Sequence, residues 1–124
     1  MIVERIKDAI SFGTVIPKPE AKADFLVKGW GKRRGEPALI YLIPNHSDAS
    51  KPHQKGITES EFEKAFSELL SSGAFTRHWF NQHLSNCAKE GACNFTTIGG
   101  IFDLLGEAVY LGRGAYERQS GALR

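Results

Sequence analysis

The chain has 124 residues, of which 41% are hydrophobic and 24% charged, and its formal net charge is +2. That length is a single domain's worth, 1–124, and excludes a chain that needs disulfide or metal staples to bury a core. The apolar and charged fractions are those of an ordinary globular protein, and so mild a charge does not by itself imply nucleic acid.

The opening segment MIVERIKDAISFG holds no long apolar run and carries Glu4, Arg5, Lys7 and Asp8. Neither a signal peptide nor a membrane span is expected there, and a cytosolic location is the expectation. Cys87 and Cys93 are then reduced thiols, and Asn94-Phe95-Thr96 is a chance match to the glycosylation pattern. Residues 2–12 read as a short helix with Ile2, Ile6, Ala9 and Ile10 on one face and Gly13 as its stop. Ile16-Pro17-Lys18-Pro19 cannot continue a helix and reads as an extended connector.

Residues 25–30 and 38–43 read as two paired strands. The second, ALIYLI, is apolar at nearly every position, as a central or doubly covered strand is. Gly31 to Glu36 forms a glycine-bounded turn between them, and Pro44 ends the second strand. Asn45 to Gly56 is polar and reads as an exposed loop.

Thr58 and Glu61 then make a capping box, with Ile57 and Phe62 at the staple positions. The helix they start covers 59–71, turns Phe62, Ala65, Phe66, Leu69 and Leu70 inward, and stops at Gly73. Thr76 caps a second helix over 77–87 that carries Trp79, Phe80, His83, Leu84 and Cys87. After a loop from Ala88 to Cys93, Asn94 or Thr96 caps a third helix over 95–105, with Phe95, Ile98, Ile101, Phe102 and Leu105 inward and Gly106 as its stop. Strands at 108–111 and 115–118 flank Gly112-Arg113-Gly114, which suits a two-residue hairpin turn. The last residues, Gln119 to Arg124, are expected to fray. The fold class is α+β: a leading helix and hairpin joined to a three-helix block that ends in a second hairpin.

Capped helix, short link, helix, helix and hairpin, in that order over residues 57–118, resembles a winged-helix DNA-binding module. The resemblance implies that the third helix enters the major groove and that the hairpin wing, tipped by Arg113, touches the backbone or minor groove. Thr96 and Thr97 then stand at the start of the reading helix, where Thr97 meets a thymine methyl or a phosphate. That helix offers no Lys or Arg, although phosphate contacts supply most of the affinity in such complexes.

Cations crowd instead at Lys28, Lys32, Arg33 and Arg34, around Trp30. They attract phosphate, and an indole stacks on an unpaired base. The same residues also suit a solvated hairpin tip, or an Arg stacked on Trp within the protein. His78, His83, Cys87 and Cys93 are of zinc-ligand type, but their spacing matches no zinc module, so no metal or cofactor is expected. His46, Asp48 and His53 share the polar loop, and Asp24 and Glu36 stand near opposing strands as nuclease carboxylates do. No nucleophile, base and orienter can be assigned among them. Tyr110 and Tyr116 place an aromatic face on the last hairpin, which a second copy could cover in a two-fold dimer.

The leading expectation is non-catalytic binding of nucleic acid, with DNA as partner. Its residues are Lys28, Trp30, Lys32, Arg33, Arg34, Thr96, Thr97 and Arg113. A small oligomerising interaction module is the alternative, and a small enzyme the third reading.

Overall fold

The computed structural model describes residues 1–119; the remainder of the expected frayed end, 120–124, lies outside the described residues. The described chain is α+β, with antiparallel sheets and helices sharing one apolar cluster that runs from Ile2 to Tyr116. Among the described residues no helix is long and apolar enough to cross a membrane.

Helix α1, Ile2–Ala9, buries Ile2, Val3 and Ile6. It is shorter than the apolar spacing suggests: Ala9 faces solvent, and Ile10 is buried from extended backbone just past the helix. The first sheet has the order β1-β2-β3-β4, formed by Val15–Ile16, Phe25–Arg33, Glu36–Ile43 and His53–Thr58. β3 is central, and Ala38 to Tyr41 are buried on both faces, as the unbroken apolar run requires.

Two expectations for this sheet are corrected. The strands run on to Arg33 and resume at Glu36, so the turn is only Arg34-Gly35, at φ +51° and +77°. Two positive φ values suit the twist of a tight hairpin. The expected loop 45–56 also ends early, because 53–58 pair with β3 from His53↔Ile43 to Thr58↔Ala38. β4 lies at the sheet edge, so its first half is polar and reads as a loop in sequence.

Helix α2, Glu59–Ser72, starts on the capping box of Thr58 and Glu61 and ends on Gly73 at φ +85°. Phe62, Ala65 and Leu69 are buried, Phe66 is half-buried, and Leu70 is exposed rather than inward. Next comes β5, Ala74–Thr76, a strand too short to be visible in the periodicity. Thr76 caps α3, Arg77–His83, by accepting from the Trp79 amide. Leu84, at φ −122° and ψ 50°, breaks the expected second helix in two, and α4 follows as Ser85–Glu90. The first half of the segment read as a loop from Ala88 to Cys93 is therefore helical. Helix α5, Asn94–Leu104, has Cys93 at its N-cap position and no side-chain cap. Asn94 instead donates to the Cys87 carbonyl at 2.9 Å and accepts from the Tyr41 hydroxyl.

The second sheet has the order β5-β7-β6, with β6 Ala108–Gly112 and β7 Ala115–Arg118. Its hairpin turns at Arg113-Gly114, φ +54° and +71°. Tyr116 is buried at 1% exposure among Phe75 and Phe95, which corrects its placement on an open dimer face. The exposed face of β6 is the apolar one, with Val109 at 37% and Leu111 at 60%.

α5 fits between the two sheets because it carries Gly99 and Gly100. A Cβ on Gly99 would stand 2.1 Å from the Tyr116 ring, and one on Gly100 2.6 Å from the Pro17 carbonyl. Gly99→Ala therefore sets a helix-propensity gain of about 1 kcal/mol against overpacking of a fixed ring. The overpacking wins: a net loss of about 2 kcal/mol or more is expected from urea unfolding. An unchanged or raised midpoint would show that Tyr116 can move aside.

Candidate functional site

The basic hairpin tip is largely consumed by the protein itself. Arg34 reaches Glu61 with Nε at 2.9 Å and Nη2 at 2.7 Å, and Nη2 also donates to the Gly56 carbonyl at 2.8 Å. Its Nη1 meets Glu90 at 2.9 Å, and Arg33 stands 3.6 Å from the same carboxylate. Two adjacent guanidiniums are thus matched by two carboxylates, one on α2 and one at the end of α4. Trp30 is half-buried, with the Lys7 ammonium 4.9 Å from its ring centroid and its Nε1 buried without a partner. Lys28 and Lys32 remain exposed, and Lys28 donates to the neutral Gln54 at 3.2 Å.

The opposite arrangement holds at the second hairpin. Arg113 is exposed at the turn. The backbone N–H of Arg77, first residue of α3, donates to the Gly114 carbonyl at 2.9 Å. The Arg77 guanidinium lies 4.6 Å from the Phe95 ring centroid and donates to the Ala92 carbonyl at 3.0 Å. The cleft beside this hairpin, about 220 Å³, is lined by Lys18, Arg77, Cys93, Thr96 and Tyr110 together with Glu20.

Lys18 closes the cleft floor. Its Nζ donates to the Cys93 carbonyl at 2.8 Å, to Thr96 Oγ1 at 2.9 Å and to Thr97 Oγ1 at 2.7 Å. It also lies over the rings of Phe25 and Tyr41. Burial lowers its pKa to about 8, because desolvation penalises the ammonium. Of the two threonines expected at the start of a reading helix, Thr96 is half-buried and Thr97 is fully buried beneath Lys18. A base edge cannot reach Thr97 in this conformation.

The remaining candidates do not converge. His78 is exposed, His83 stacks on Trp79, and Cys87 is buried with its thiol pKa pushed up, chiefly by desolvation. Among the described residues no three His, Cys, Asp or Glu side chains are placed to hold a metal ion. Asp48 accepts from the Ser50 amide and hydroxyl, which shapes the 44–52 turn and lowers its pKa. His53 lies on β4 rather than in the loop with His46 and Asp48, and Asp24 is exposed at the foot of β2. Glu36 lines a separate cleft of about 220 Å³ with Arg34, Lys64 and His83.

Lys18 and Arg77 are the residues that sequence reasoning passed over. Each is isolated among neutral neighbours in the chain, and only the fold brings them together. The prolines on both sides of Lys18 were the available signal, since they hold its backbone extended toward α5. Comparison with protein-family models, curated proteins and solved structures found no match.

The ion pair at the first turn makes a pH-dependent prediction. Glu61 is desolvated by burial, yet the Arg34 hydrogen bonds and the Thr58 amide hold its pKa below the ordinary value. A depressed carboxylate stabilises the fold above its unfolded pKa and loses that contribution as pH falls through the folded value. Arg34→Met should destabilise near neutral pH, toward the low end of the ~3–5 kcal/mol for a buried pair, because Arg34 keeps 20% side-chain exposure. The gap to wild type should narrow in acid, once Glu61 is protonated. Urea unfolding across the acid limb checks both; a gap that stays constant with pH would remove Glu61 as its cause.

Proposed function

We propose that this chain binds nucleic acid without catalysis, through a winged-helix-type module formed by residues 57–118. One observation carries the reading. The run α2, β5, α3 and α4, α5, β6, β7 is backed by a sheet in the order β5-β7-β6, and its exposed hairpin tip, Arg113, stands beside the start of α3. That is the placement a phosphate-contacting wing needs. Arg77 and Thr96, lining the cleft beside the wing, extend the same face, with DNA as the proposed partner.

The roles within the proposal shift accordingly. Arg113 and Arg77 become the leading phosphate contacts. Lys28 and Lys32 are outlying ones, and Arg33, Arg34 and Trp30 serve the fold. Because α5 is covered along most of its length, the contact is directed at the backbone and tolerates sequence changes. A specific observation also favours an oligomerising module: β6 is a sheet edge bearing exposed Val109 and Leu111.

Fluorescence anisotropy on mixed duplexes at low salt tests the proposal. Binding should weaken with salt through counterion release. Arg113→Ala should reduce the salt slope by about one unit, and unrelated duplexes should bind within a few-fold of one another. Absence of binding at low salt, combined with a mass that rises with concentration and falls in Leu111→Asp, would replace this reading with the oligomerising one.

A further inference from the structure

The polar stripe of α5 is covered by a loop. Cys93, Thr96, Thr97 and Gly100 follow the spacing of one helix face. A stripe destined for permanent burial is ordinarily apolar; this one carries hydroxyls, a thiol and no side chain at all. Residues 17–24 connect β1 to β2 across it, and residues 19–22 of that loop are exposed.

Two side chains fasten the loop. Lys18 directs all three ammonium protons at the first turn of α5, so it has none left for a ligand while the loop is down. Glu20 accepts from the Tyr110 hydroxyl on β6 at 2.5 Å. Beneath them the Pro17 carbonyl rests on Gly100. We propose that the 17–24 loop is a latch, closed over the α5 stripe by Lys18 and Glu20, and that the phosphates of a nucleic acid compete with it.

The proposal rests on the nucleic-acid reading above. An opened latch releases the Lys18 ammonium beside Arg77 as a charged donor pair for a phosphate, and the Thr96 and Thr97 hydroxyls, which donate to the Cys93 carbonyl in the closed form, can rotate to join them. Burial already opposes the charged form of Lys18, so lifting the latch returns a desolvation cost to water. The exposed Tyr110–Glu20 contact is the weaker of the two fastenings.

The test uses two variants and two readouts. Lys18→Met keeps the stem and removes the three donors; Tyr110→Phe removes the Glu20 contact, and with it a long 3.5 Å hydrogen bond from the Gly114 amide, without changing charge. Labelling by a neutral maleimide at one fixed pH reads Cys93, which lines the cleft; the fully buried Cys87 is the internal control. Cys93 labelling should accelerate at least tenfold in Lys18→Met and several-fold in Tyr110→Phe, with Cys87 silent and both variants melting cooperatively. Tyr110→Phe should also bind duplex DNA several-fold more tightly than wild type. Unchanged Cys93 labelling in both variants overturns the latch. Faster labelling with unchanged duplex affinity overturns the competition. Faster labelling with no duplex binding by any form defeats the nucleic-acid reading and removes the latch's proposed partner.

Discussion

One carboxylate sets the charge layout of this molecule. Glu61 accepts from the Thr58 amide at 2.8 Å, which completes the cap of α2. It also accepts two hydrogen bonds from Arg34, which ties the first hairpin to that helix. Arg34 can reach it because the turn places a non-glycine residue at φ +51°. Such backbone costs about 1–2 kcal/mol and persists where side-chain bonds offset it. Glu90, from the end of α4, takes the remaining side of the guanidinium. A run of four cations, the most conspicuous feature of the sequence, is thereby half neutralised before any partner arrives.

For the proposed function the consequence is a change of face. With Arg33 and Arg34 held by acids and Trp30 covered by Lys7, the first hairpin offers little beyond Lys28 and Lys32. The second hairpin offers Arg113 unobstructed, next to a cleft where Lys18, Arg77 and Thr96 meet. Helix α5 lies between Tyr116 on one side and Pro17 on the other, and its two adjacent glycines let both approach. That packing covers the helix, so in the proposed reading a contact on this face begins with the second hairpin.

Local signals are legible in the sequence where they act over a few residues. The Thr58–Glu61 box, the Gly73 stop, the Thr76 cap and the Arg113-Gly114 turn each depend on neighbours three or four positions away. Features set by distant pairing were not legible. The first half of β4 is polar because it lies at an edge, β5 is three residues long and pairs only with β7, and Leu84 breaks a helix whose spacing continues across it. The site divides the same way. Charge is visible in sequence, but the partner of a charge is not, and the partners of Arg34 lie 27 and 56 residues further along. Lys18 reaches α5 across a separation of 75 to 79 residues, which no periodicity encodes.

The central claim is that nucleic acid meets the wing face and not the first hairpin. Amide correlation spectra recorded while a short mixed duplex is added at low salt address it residue by residue. The expected shifts concentrate at Arg77, Thr96 and Gly112 to Gly114, with Gly31 to Gly35 unmoved. Shifts confined to Gly31 to Gly35, or none anywhere, would contradict it.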